Sequence, residues 1–346
     1  MKSKSNKLPY EISEIDDVIQ IKIDVPFDVK FVYVYLLRVQ EGYILFDAGL
    51  NMGNWPEHFF SALEKIHVKV EKISHCIISH SHLDHIGLIG ELRRKNPDIK
   101  IVMHEITNEK MKWETNPKNF SKLKKEANHL TSKLLKYGLT QKQGDKLVQY
   151  FLKWPRLKNY HKPDVIVHND DHLSIEDKNF KVLWTPGHAL GHICIYEEHK
   201  RYLFSGDHIL SRITPHIGNF IVNEVIRERY KEYDFENILD LYLQSLEKIN
   251  QLNPTIIFPA HQEVIYNPLE RIDAIERHHQ ERLQEISDVI KQNPMTPYEI
   301  SQIHFGELDD INSFLALSEV LGHLIYLERE EKVRRIEKNH KIMFES

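Results

Sequence analysis

Cysteine is nearly absent from this 346-residue chain, with Cys76 and Cys194 the only two. A disulfide framework is thereby excluded. Both thiols sit in apolar, strand-like runs, where buried and inert side chains are expected. Long hydrophobic runs are missing as well. No stretch approaches the length of a membrane span, and Met1 to Tyr10 are polar and lysine-bearing, without the apolar segment of a secretion signal. Nor is there a large excess of charge. The 51 acidic and 46 basic residues leave a formal charge of −5, which argues against a protein that coats nucleic acid through overall basicity. These absences together lead to the expectation of a soluble, cytoplasmic protein with no membrane partner.

What is abundant is histidine, at 22 residues, more than any set of ligands requires. Hydrophobic residues make up 41% and aromatic residues 10%, ample for a sizeable core. The length suggests one large α/β domain with a small appendage. Six residues hold the densest chemistry: His80-Ser81-His82-Leu83-Asp84-His85. The apolar run Ile73 to Ile78 before them reads as a buried strand, and Ile86-Gly87-Leu88-Ile89 with Leu92 reads as a helix start. The stretch therefore lies past a strand's carboxyl end, where α/β proteins commonly place their sites. Residues two apart in an extended segment point the same way, so His80 and His82 can grip one ion. Asp84 and His85 follow the turn into the helix and can hold a second.

This stretch resembles the His-x-His-x-Asp-His signature of the metallo-β-lactamase superfamily. The resemblance implies an α/β fold, an αββα sandwich, with further ligands downstream, each just past a strand. Residues 18–50 read as strands, the last ending in Asp47-Ala48-Gly49. Asp47 matches the family's Asp-x-Gly aspartate, implied to brace the ligand loop. The strand Phe180 to Trp184 leads to His188, and the hairpin of His192–Tyr196 with Tyr202–Phe204 leads to Asp207. The strand from Thr255 leads to His261. Carried over, one site would be His80, His82 and His188, the other Asp84, His85 and His261, with Asp207 shared. Two divalent ions are implied, zinc first, with iron or manganese as alternatives. A hydroxide bridging them would attack the substrate, Asp207 helping to orient it, with Asp84, Asp207 and Asp47 as the catalytic carboxylates and no Ser or Cys nucleophile. The match runs over roughly residues 15–268. It departs at Gln262, where many relatives carry glycine after the last histidine.

Two segments stand outside that pattern. Residues 105–165 are helical in composition and hold fourteen Lys and Arg against six Asp and Glu, interspersed with aromatics from Trp113 to Tyr160. They read either as a solvated helical face or as a basic, aromatic lid favouring an anionic substrate. Residues 269–346 read as three helices and a hairpin, a winged-helix-like domain, but with sixteen acids against ten bases they suit a packing role better than a grip on phosphates. A metallo-β-lactamase domain over 1–268 and the appended 269–346 are the expected organisation, with a homodimer left open. The function expected is a binuclear metallohydrolase of a small anionic ester or thioester. The alternative is a metal-dependent phosphodiesterase or endoribonuclease acting on RNA, since the tail's architecture resembles endoribonuclease relatives.

Overall fold

The computed structural model describes residues 8–218 and 222–346. Four antiparallel strands open the chain: β1 (Tyr10–Ile15), β2 (Val18–Asp24), β3 (Phe31–Arg38) and β4 (Tyr43–Phe46). Helix α1 (Trp55–Lys65) then leads to β5 (Ile73–Ile78), parallel to β4. Two short helices, α2 (Leu83–Ile86) and α3 (Ile89–Lys95), lead on to the parallel strand β6 (Lys100–His104). The insertion contributes α4 (Glu105–Glu114), α5 (Phe120–Lys136) and α6 (Gln141–Lys153) before β7 (Val165–Val167) rejoins the sheet beside β6. The result is a seven-stranded sheet in the order β1 to β7.

A second, five-stranded sheet has the order β12-β11-β10-β9-β8. Its strands β8 (His172–Ile175), β9 (Lys178–Trp184), β10 (Ile193–Glu197) and β11 (Tyr202–Gly206) are antiparallel neighbours. Helices α7 (Glu224–Arg229) and α8 (Ile238–Leu252) intervene before β12 (Ile256–Pro259), which lies parallel to β11 as its connection requires. The tail consists of α9 (Pro268–Ile290), α10 (Pro297–Phe305), α11 (Asp310–Arg329) and the hairpin of β13 (Arg334–Lys338) with β14 (Lys341–Glu345).

Strand alternation decides which side chains meet. Along β3, Tyr33, Tyr35 and Leu37 face the second sheet, while Val32, Val34 and Leu36 face the layer of α1 and α3. Along the second sheet, Val182, Ile195, Phe204 and Phe258 face inward, and Leu183, Cys194, Leu203 and Ile257 face α8 and the tail. The inner seam is aromatic: Phe46 stacks on Phe204 at 3.6 Å between ring centres, and Tyr35 meets Phe258 edge-on at 5.4 Å. Tyr35 also ties the sheets by donating its hydroxyl to the Pro259 carbonyl at 2.5 Å. Each such side chain, fully buried, contributes about 1.5–3 kcal/mol. Both cysteines are buried and free, as their apolar surroundings predicted.

The tail's helices follow their sequence signals. The apolar stripe Ile272, Ile275, Leu283, Ile286 and Ile290 of α9 is buried. After α9 ends at Ile290, Thr296 begins the next helix through a capping box with Glu299, with Pro297 in the first turn. These helices do not form a core of their own. One apolar cluster runs from Leu203 through Tyr242 and Leu246 of α8 to Leu317 and Leu324 of α11, and on to Tyr137 of the insertion.

Several elements escaped the sequence reading. Strand β1 pairs with β2 over its whole length, although its three polar residues among six hid it. Strands β7 and β8 have three and four residues, too short to carry a period. The expected helix after the histidine motif is split into α2 and α3. Gly87 N donates to Gly49 O at 2.7 Å and Leu88 N to Ala48 O at 2.9 Å, so the turn between them is bound to the loop after β4. The insertion's aromatics also serve a use other than a lid. Phe151 packs edge-on against Phe314 of the tail, Trp154 lies 6.4 Å from Phe27, and Tyr137 is wholly buried. Its lysines divide: Lys122, Lys124 and Lys125 are exposed, whereas Lys158 is buried against Glu114 at 3.2 Å. Among the described residues no helix is long and apolar enough to cross a membrane.

Candidate metal centre

Every candidate side chain stands just past a strand. Asp47 follows β4, and the histidine motif follows β5. His188 follows β9, Asp207 follows β11 and His261 follows β12. The two sheets thus bring residues more than two hundred positions apart to one edge. Gly206 makes the last approach feasible. Its φ is +49°, and a Cβ there would lie 2.7 Å from His192 Nε2 and 2.8 Å from Ser79 Cβ, so only glycine lets β11 deliver Asp207 so close to the β5 loop.

The structure brings the seven residues named from the sequence together in two groups. His80, His82, His188 and Asp207 form one, and Asp84, His85 and His261 the other, with ligand-type atoms in each group within 4.8 Å of one another. Asp207 stands between them. Its Oδ2 lies 3.3 Å from His188 Nε2 and 4.0 Å from His80 Nε2, while Oδ1 lies 3.4 Å from His261 Nε2 and 3.6 Å from His85 Nε2. Asp84 faces the second group only, at 3.5 Å from His261 and 3.7 Å from His85. The groups are recessed: His80 and His85 are wholly buried, whereas His82 and His188 remain partly exposed and mark the open side.

The far sides of these rings are held by the protein. Asp47 accepts from Ser79 N at 2.7 Å with one oxygen, and from Ser79 Oγ and His85 Nδ1, both at 2.8 Å, with the other. Because Ser79 Oγ donates to Asp47, it accepts from His80 Nδ1 at 3.0 Å. His188 Nδ1 donates to His216 O at 3.1 Å, and His261 Nδ1 to Phe31 O at 2.7 Å. With Nδ1 engaged in this way, the Nε2 of each of the four rings is turned to the centre, where it can bind a cation once unprotonated.

These atoms fit cations. His80 Nε2, His85 Nε2 and Asp207 Oδ1 are buried without a hydrogen-bond partner among the described residues, a costly condition unless something satisfies them. His188 Nε2 lies 3.0 Å from His82 Nδ1, a spacing that a proton or a cation between the two nitrogens must relieve. The imidazole and carboxylate donors suit zinc, iron or manganese. The electrostatics agree. Burial and the neighbouring rings hold His80 and His82 well below the usual histidine range. Burial would lower His85 too, but the carboxylates of Asp47, Asp207 and Asp84 outweigh it and push it up to about 10. Burial alone would raise Asp207, yet His261 and His85 hold it well below the carboxylate range. Three carboxylates here call for positive charge.

The sequence reading missed Ser79 and His192. Ser79 relays between Asp47 and His80. His192 accepts the Asp207 N–H through Nε2 at 3.1 Å while its Nδ1 meets Thr185 Oγ1 at 2.8 Å, so it sets the backbone that carries Asp207. Neither has a sequence signal, because serine and histidine in strand-end loops are common for unrelated reasons. His208, beside Asp207, packs on Tyr242 at 4.7 Å and lies outside both groups. Gln262 has φ +67°, which accounts for the glycine many relatives carry there. Here its side chain stabilises the loop by accepting from Arg212 N at 2.7 Å.

Comparisons with other proteins point the same way. Over 338 residues the chain is 26% identical to the protein named "Probable metallo-hydrolase YqjP" of Bacillus subtilis, covering 96% of this chain and 98% of that one. Over 172 residues it is 30% identical to the "Beta-lactamase-like protein 2 homolog" of Drosophila melanogaster, covering 49% and 52%. In structure it is similar to a β-lactamase domain protein from Burkholderia ambifaria, with a TM-score of 0.77, 23% identity and coverage of 99% and 96%. The metallo-β-lactamase family protein TTHA1429 from Thermus thermophilus gives a TM-score of 0.73 at 23% identity, covering 96% and 99%. The sequence profile of the metallo-β-lactamase superfamily matches residues 27–261, from just before β3 to the last histidine of the centre. By that match, spanning most of its length, the chain belongs to the metallo-β-lactamase superfamily.

Proposed function

We propose that this protein is a binuclear metal-dependent hydrolase of a small anionic ester or thioester. The observation that carries the reading is Asp207, whose two oxygens face two separate histidine groups at 3.3–4.0 Å. Two divalent cations bound there, zinc first among the candidates, supply Lewis acidity toward water and toward the oxygen of the scissile bond. The protein's own residues do the rest. Asp47 and Ser79 hold His80 and His85 in the tautomer that binds. Asp207 stays ionised between the groups, where it can accept a hydrogen bond from the attacking water and so orient it. No side-chain nucleophile is offered: burial pushes the Cys194 thiol up to about 12 and Cys76 well above its usual range, leaving both inert.

The layering of helices and two sheets is read as the αββα sandwich, and the three helices and hairpin of the tail as winged-helix-like in their order. The recessed centre suits a small substrate, and the name of the Bacillus subtilis relative agrees with a hydrolase. The test is metal analysis of protein purified without chelator, beside turnover of a thioester, a lactone, bis-p-nitrophenyl phosphate and single-stranded RNA. Two metals per chain with thioester or lactone turnover are expected. Two metals with phosphodiester or RNA cleavage alone would transfer the assignment to a nuclease. Fewer than one metal after reconstitution would end the binuclear reading.

A further inference from the structure

Between the insertion and the tail lies a cavity of about 490 Å3, within the range that small-molecule ligands occupy. Leu134 of α5 and Tyr137 just after it, Phe235 before α8, and Leu321, Gly322 and Ile325 of α11 wall it. Gly322 is the informative position. It sits inside a twenty-residue helix, where glycine costs about 1 kcal/mol relative to alanine. Its backbone is buried, yet a Cβ built there would meet no atom of the described residues within 4 Å. Among the described residues this helix face packs on nothing and borders the cavity.

The rim carries charge. Arg227 and Lys231 line the cavity, and among the described residues neither has an ion-pair partner; Arg227 donates only Nε, to Val222 O at 2.8 Å. Of the acids that line it, Asp234 is taken by Arg329 at 2.8 Å and Glu236 by Lys133 at 2.6 Å, leaving Glu126 as the one without a partner among the described residues. Two uncommitted cations against one acid beside an apolar hollow favour an amphiphilic anion. We propose that this cavity binds a small amphiphilic carboxylic acid, its apolar body enclosed between α5 and α11 and its carboxylate at Arg227. The site adjoins the metal centre: Gly218, at its edge, donates its N–H to Gly187 O at 3.1 Å, one residue before His188. Binding there is a property of the cavity alone, whatever reaction the centre performs.

The test is calorimetric titration of the full chain with decanoate, and with decanol as the uncharged counterpart, both kept below their aggregation limits. Saturable one-to-one binding of decanoate to the wild type is expected. Gly322→Leu, which fills the void with a better helix former, is expected to weaken binding of both probes about tenfold or more without lowering the melting temperature. Arg227→Ala, at an exposed position, is expected to weaken decanoate alone. Absence of saturable binding, or a Gly322→Leu protein that binds as the wild type does, would overturn the site. Equal loss of both probes in Arg227→Ala would overturn the anionic assignment. The calorimetric readout does not depend on turnover, so failure here is separable from failure of the hydrolase proposal.

Discussion

Asp207 offers one carboxylate oxygen to each histidine group, so its loss acts on both at once. Asp207→Ala is expected to reduce bound metal from two per chain to one or none and to abolish hydrolysis. A variant with two metals and full turnover would contradict the shared role. Asp47 works from behind, through Ser79 and His85. Asp47→Asn keeps the shape but replaces one of the two acceptor oxygens with a donor, so that Ser79 and His85 cannot both be satisfied, and is expected to weaken metal binding by about 10–100-fold, as outer-shell changes do. Chelator competition measures it, with circular dichroism to confirm an intact fold. At this scale the residues that the fold brings together were legible in the sequence, because their order and spacing, each just past a strand, carry the resemblance. Ser79 and His192 were not, since each is defined by a partner that only the closed fold brings near.

The helices α9 and α11 meet through polar groups. His279 Nδ1 and His323 Nε2 lie 3.1 Å apart, and His323 Nδ1 donates to Glu319 O at 2.8 Å. Burial pushes the Glu319 carboxyl from 4.5 up to about 7, against the opposing pull of Arg282. Burial also holds His279 down to about 2 and His323 to about 4, so both are neutral where Glu319 titrates. Between about pH 4.5 and 7 Glu319 keeps in the folded protein a proton that it releases in the unfolded chain, so its own contribution to stability falls as pH rises through that window and levels off above it, while the depressed His279 and His323 contribute in the opposite sense below about pH 6.5. Glu319→Gln removes this slope. In urea unfolding at pH 5 and pH 8 the variant is expected to gain up to about 3 kcal/mol on the wild type at the higher pH, at about 1.4 kcal/mol per pKa unit. An identical pH slope in the two proteins would refute it. Elements with a clear period or cap, such as α9 and α10, could be read in advance. The short strands β7 and β8 take their conformation from pairing with longer neighbours, which leaves no local trace.

Across the whole molecule the centre is divided between the sheets. Asp47, His80, His82, Asp84 and His85 come from loops of the first, while His188, Asp207 and His261 come from the second. No short segment of unfolded chain holds both groups. Metal binding therefore favours the folded state almost exclusively, and at a free concentration of a thousand Kd it adds about 4 kcal/mol. Removing metal with chelator is expected to lower the melting temperature by several degrees and re-addition to restore it, as calorimetric scans would register; an unchanged melting temperature in protein shown to be stripped would place the cations elsewhere. The tail was legible as a separate composition, but not as part of a common core, because the apolar faces that join α8, α11 and Tyr137 are ordinary stripes until they find one another. The aromatic seam of Phe46 and Phe204 has a consequence for how the chain matures. These rings can stack only when both sheets have formed in register, and the same closure carries Asp207 to the histidines. A chain with slipped strands would leave the two halves of the centre apart, so on the proposed reading metal content would serve as an inspection of assembly.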